Sequence, residues 1–292
     1  MTDNELGGNA VTTPLTQVPV PVATLGEGPI WDAGQQALYW VDIPECLVHR
    51  LDADGSITTW AAGQPVGTVV PRASGGLVVA ARDGFMAMDP DTGHLTMLAA
   101  VEQDRAQTRM NDGACDRTGR FYAGTMAADE SPGLGTLYRL DLDLQVSKLA
   151  TGLGISNGIG WSPDERLMYY IDSLDHQVDV FDYDAATGAI EGRRKFAAVG
   201  GGDVVPDGLT VDADGNVWVA VWGGAAVLRH DPDGRVRQTV EVPATQVTSC
   251  VFGGPNLDRL YITSAAGGGA AAGGLFVCQP GVTGQPSHPF RG

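Results

Sequence analysis

Lysine is nearly absent from this 292-residue chain, which contains only Lys148 and Lys195. With arginine included, 18 basic residues stand against 35 acidic ones, a formal charge of −17. Nucleic-acid binding draws on clustered positive charge to release counterions from phosphates. Anionic membranes likewise attract basic segments. Neither partner is expected here. No run of about 18 apolar residues occurs, so no transmembrane helix is expected. Residues 1–14 lack the basic and apolar regions of a signal peptide and read as a disordered leader. Cys46, Cys115, Cys250 and Cys278 form no CxxC pair. They are expected to be reduced, in a cytoplasmic protein, with two disulfides as the alternative. None of the five histidines forms HxH or HExxH, so a His-ligated zinc hydrolase is not suggested.

Glycine, by contrast, is abundant at 41 residues, about twice the usual ~7%. With 43% hydrophobic residues the glycines punctuate a folded chain. A short run of β-branched, aromatic and small residues recurs at Leu38–Asp42, Leu77–Ala81, Phe121–Thr125, Met168–Asp172, Val217–Val221 and Leu260–Ser264. The starts at 38, 77, 121, 168, 217 and 260 are spaced by 39, 44, 47, 49 and 43 residues. Such runs suit inner strands packed on both faces, and their period matches a four-stranded propeller blade. Asp52–Gly55, Asp89–Gly93, Asp184–Gly188, Asp212–Gly215 and Asp231–Gly234 supply turns between strands. They lack the glycine and glutamate spacing of an EF-hand. The fold class expected is therefore all-β, one six-bladed propeller over residues 15–292. Leu15–Val22 is placed as the outer strand of the last blade, beside Gly274–Cys278. Closing the ring this way removes exposed edges.

Two motifs are set aside. Gly154-Ile-Ser156-Asn-Gly158 fits GxSxG, but Trp161-Ser-Pro-Asp follows at once and leaves no room for the helix of a nucleophile elbow. Gly267-Gly-Gly-Ala lacks the GK[ST] of a phosphate loop. More informative are Leu25-Gly-Glu27-Gly, Arg109-Met-Asn111-Asp112-Gly, Ile155-Ser-Asn157-Gly and Val205-Pro-Asp207-Gly. Each sets an oxygen-bearing side chain beside glycine, ahead of a recurrent strand. One Asn-Gly is a turn; four at matching places point to a common axis. Glu27, Asn157 and Asp207 together make a hard-cation set, for calcium or another divalent ion completed by water.

These segments, with LGEGPIW, RMNDG, YAGTM, SNGIGWSPD and PDGLTVDADGNVWVAVWGG in order, resemble the gluconolactonase, regucalcin (senescence marker) and luciferin-regenerating enzyme family. The resemblance implies a six-bladed propeller with one divalent metal in its central channel and hydrolysis of a sugar lactone. It implies metal ligands at Glu27, Asn157 and Asp207, with Asp207 also the candidate base. It implies substrate contacts at Arg109 and Asn111. After Gly124-Thr-Met126 the family's Glu-rich stretch is replaced by Ala-Ala-Asp129-Glu130, and Asp129 is taken as the acidic substrate contact. Calcium is the favoured metal, with zinc, magnesium, manganese or iron(II) as alternatives. Asp112 reads as a structural loop cap. Hydrolysis of aryl esters or phosphotriesters, or ligand binding without catalysis, are the competing functions.

Overall fold

The computed structural model describes residues 14–292, so the expected leader falls outside it except for Pro14. Among the described residues there are six antiparallel sheets of four strands each and no α-helix. Each sheet is a blade. The first strands are Gly26–Asp32, Val66–Pro71, Thr108–Cys115, Ser156–Trp161, Val205–Val211 and Val247–Gly253, and they pack side by side around the axis. Ring closure comes from Leu15–Gln17, which pairs with Phe276–Cys278 as the outermost strand of blade 6.

The recurrent apolar runs are the second strands. Ala37–Asp42, Leu77–Ala81, Phe121–Ala127, Leu167–Asp172, Val217–Trp222 and Arg259–Ser264 each lie between a first and a third strand. Their residues are buried almost throughout, because a propeller places its apolar core between neighbouring blades. Tyr169, Ile171 and Val178 of blade 4, for example, share a core with Leu209, Val217 and Val219 of blade 5. Aspartate hairpins close as the turn chemistry predicts, with Gly55, Gly215 and Gly234 N–H groups bonded to the carbonyls of Asp52, Asp212 and Asp231. The Gly267–Gly274 tract is pinned by backbone hydrogen bonds that include Ala271 N–H to the Pro243 carbonyl and Gly273 N–H to the Ala265 carbonyl.

The polar-glycine segments lie inside the first strands, where the sequence placed them ahead of a strand. A bulge accounts for this. In every first strand the pairing slips at the same place: after Glu27, Val66, Met110, Ser156, Pro206 and Val247. A bulge frees one or two residues from the ladder and re-aims their side chains. Glycine serves a second need here, since a Cβ on Gly208 would collide with Ser249 of the next blade. First strands this close around an axis leave no room for a side chain there.

Candidate active site

Four of the six bulges carry or adjoin chemistry. They bring together Glu27 from blade 1, Asn111 and Asp112 from blade 3, Asn157 from blade 4 and Asp207 from blade 5, all buried. Arg109, half-buried, precedes Asn111 by two residues, and its guanidinium donates to Asn111 Oδ1 (2.7 Å).

Electrostatics ties the set together. Burial pushes the Glu27 carboxyl up to about 8; the charge of Asp112 adds to this, against the Gly28 N–H and Arg109. Asp112 is raised to about 6 by burial, opposed by its bond from the Gly113 N–H (2.7 Å). Asp207 is held well above the usual carboxylate range, first by burial and then by Glu27 and Asp112, with Asn157 and Arg109 opposing. Burial lowers the Arg109 guanidinium, which Glu27, Glu130 and Asp207 sustain. Three carboxylates and one guanidinium, all ionised, would leave the group two charges negative. Buried charge of that kind is costly unless compensated.

The donors fit a divalent cation. The Oδ1 atoms of Asn157 and Asp207 are buried and have no hydrogen-bond partner in the protein. Buried acceptors are rarely left unpaired, and these are two oxygens of the expected ligand set. The two asparagines differ in a decisive way. Asn111 uses both ends of its amide: Nδ2 donates to the Ser156 carbonyl (2.9 Å) and Oδ1 accepts from Arg109 (2.7 Å). Asn157 donates from Nδ2 to Ser173 Oγ (3.0 Å) and keeps Oδ1 free. Asn157 therefore suits a cation, and Asn111 suits holding Arg109. Among the described residues no group of three or more His, Cys, Asp or Glu side chains could hold a metal.

Asp112 departs from its expected role. Among the described residues its carboxylate accepts from the Gly113 N–H and from no neighbouring loop, and its charge acts on Glu27 and Asp207. The signal was the two-residue bulge itself, which frees Asn111 and Asp112 together. Of the site carboxylates, Asp112 alone also lines a cavity of about 120 Å³ below, between the first strands and C-terminal residues such as Gln285 and His288. Asp129 is exposed, its carboxylate bonded to the Ser131 N–H (3.1 Å). Its neighbour Glu130, at φ 62°, is the acidic residue of this loop that acts on Arg109. Ser156, of the GxSxG match, is fully buried on a strand and accepts from the Tyr170 hydroxyl (2.7 Å).

Residues 25–266 match the family described as SMP-30/Gluconolactonase/LRE-like region. The chain belongs to this family. It is 39% identical over 284 residues to regucalcin of Gallus gallus, covering 92% of this chain and 95% of that protein. The crystal structure of a calcium-binding protein, regucalcin, from Agrobacterium tumefaciens superposes with a TM-score of 0.91 at 30% identity, over 96% of this chain and 98% of the other. A gluconolactonase of Xanthomonas campestris superposes with a TM-score of 0.75 at 25% identity, over 95% of this chain and 93% of the other. The fold expected from the sequence is thus that of the family. No helix among the described residues is long and apolar enough to cross a membrane.

Proposed function

We propose that this chain hydrolyses a sugar lactone in the channel, with one divalent cation, calcium in the first instance, held by Glu27, Asn157 and Asp207. The observation that carries the reading is the pair of unpartnered buried oxygens, Asn157 Oδ1 and Asp207 Oδ1, within a group of surplus negative charge. Membership in a family with a gluconolactonase among its relatives supports an aldonolactone substrate, such as a glucono-, xylono-, arabinono- or galactonolactone. When bound, the cation would polarise the lactone carbonyl and lower the pKa of a water.

The side chains supply the rest. Asp207 accepts a proton from the attacking water as its oxygen bonds to the carbonyl carbon. The bond to the ring oxygen then breaks, and that oxygen takes the proton back from Asp207. Arg109, pre-oriented by Asn111, holds sugar hydroxyls or the emerging carboxylate with its fork of donors. Glu130 acts on this guanidinium, and Asp129 beside it in the chain is the further acidic candidate for a substrate contact. The four unpaired cysteines agree with a cytoplasmic setting. The net charge of −17 leaves small molecules, not nucleic acid or anionic membrane, as partners.

Exhaustive demetallation is expected to abolish acid release from aldonolactones in a pH-indicator assay, and added Ca²⁺ to restore it. Full activity without metal would refute the reading. A protein that binds Ca²⁺ yet turns over no lactone would instead support the second reading, calcium binding without catalysis, which the calcium-binding Agrobacterium relative favours.

Arg109→Ala is expected to lower kcat/KM by roughly 10–100-fold, from the ~1.5–3 kcal/mol of a charged hydrogen bond. Calcium affinity should hold or rise, because a positive charge leaves the field of Glu27 and Asp207. Calorimetry and initial rates on the same preparation check both parts. Unchanged kcat/KM would make Arg109 structural.

A further inference from the structure

Two recurrent second strands end in aspartate, Ala37–Asp42 in blade 1 and Leu167–Asp172 in blade 4. Both carboxylates do the same work. Asp42 accepts from the Thr24 and Leu25 N–H groups (2.8 and 3.0 Å), three and two residues before Glu27. Asp172 accepts from the Gly154 and Ile155 N–H groups (2.7 and 2.9 Å), three and two residues before Asn157. The next residue repeats the likeness: the Ile43 N–H bonds to the Leu25 carbonyl, and the Ser173 N–H to the Ile155 carbonyl. Two candidate ligands are thus mounted on one backbone clamp, used twice.

The residue after the clamping aspartate differs between the two, Ile43 in one and Ser173 in the other. Glu27 offers two equivalent oxygens, so either rotation of its carboxylate presents an acceptor to the channel. Asn157 is not symmetric: turned over, its amide would present NH₂ to a cation. Ser173 is buried in a short 3-10 turn capped by Asp172. Its Oγ accepts from Asn157 Nδ2, and Asn157 Oδ1 is left without a hydrogen-bond partner. From this geometry we infer that Ser173 is a positioning residue: it satisfies the NH₂ end of Asn157 so that the amide oxygen faces the cation. The inference rests on the cation reading given above.

Calcium titration by calorimetry, with no substrate present, tests it. Ser173→Ala and Ser173→Cys, which remove or weaken the acceptor, are expected to raise the Ca²⁺ Kd roughly 10–100-fold, the usual cost of losing a group that orients a ligand. Ser173→Thr restores the hydroxyl and should return the affinity. In an Asn157→Asp background, where both ends of the ligand are oxygen, Ser173→Ala should have little further effect on the Kd. An equal loss in both backgrounds, unaltered affinity in Ser173→Ala and Ser173→Cys, or no recovery with Ser173→Thr would overturn the inference. Absence of calcium binding by the unmodified protein would overturn the cation reading itself, and the inference with it. The melting temperature of metal-free Ser173→Ala separates ligand orientation from general loss of structure: a collapse of the metal-free fold would also count against it.

Discussion

Asp207→Asn is expected to cut kcat on the best lactone by ~10²–10⁴-fold even at saturating metal, the range for loss of a general base. The substitution keeps the shape of the side chain, and Asn retains one carbonyl oxygen for a cation. It cannot take a proton from water, and it reduces the charge of the ligand set from two carboxylates to one. Burial first, and then the charges of Glu27 and Asp112, hold the proton affinity of Asp207 well above that of a solvated carboxylate. That environment favours proton acceptance, while a bound cation opposes it. The substitution decides which influence prevails during turnover. Two titrations, metal binding and rate against metal concentration, separate the roles. Rate recovered by excess metal would leave Asp207 a ligand alone, and metal affinity untouched by the substitution would remove it from the ligand set.

Much of this fold is legible because a propeller repeats. The second strands are buried on both faces, so Leu38–Asp42 and its counterparts carry unbroken apolar runs that stand out at a blade's period. Ring closure is readable too: Leu15–Val22 is expected as the outer strand of the last blade, and its first three residues, Leu15–Gln17, pair there. The position of the ligand candidates was harder. Asparagine or aspartate beside glycine looks like a turn, and only the bulge shared by all six first strands explains how such a pair sits mid-strand. Asp112 reads as a loop cap for the same reason: in the sequence it is one more aspartate beside glycine, and only the register shift between Met110 and Gly113 frees it together with Asn111.

Orientation was the least accessible property. Nothing in Ser156-Asn157-Gly158 says which end of the amide faces inward; that depends on Ser173, sixteen residues on and reached through a different strand. Its trace in the sequence is faint but present: Leu38–Asp42 and Met168–Asp172 both end in aspartate, whereas the other four runs do not. Likewise Asp129 and Glu130 are adjacent, so family likeness alone could not separate them. In the structure they differ in one respect that bears on the site, the charge of Glu130 acting on Arg109.

The second large effect is on stability. Asp116→Ala is expected to destabilise the fold by about 3–5 kcal/mol, the cost of stranding one member of a buried ion pair. Asp116 and Arg120 are 1% and 5% exposed. One carboxylate oxygen takes the Gly119 and Arg120 N–H groups (2.8 and 2.9 Å); the other takes Arg120 Nε (2.7 Å) and the Tyr183 hydroxyl (2.6 Å). Tyr183 belongs to blade 4, and Arg120 also reaches the Ala185 carbonyl, so the cluster joins blade 3 to blade 4. At ~2–4 °C per kcal/mol the melting temperature should fall by roughly 6–20 °C. Replacing the pair together, Asp116→Leu with Arg120→Met, should recover part of the loss by removing the stranded charge. Calcium affinity of the folded variant should be unchanged, because the Asn111–Ser156 bond still ties the same two blades at the site. A melting shift below roughly 2 °C would show that Arg120 finds compensation elsewhere when the carboxylate is lost. A weakened calcium site would show that the two ends of this interface are coupled.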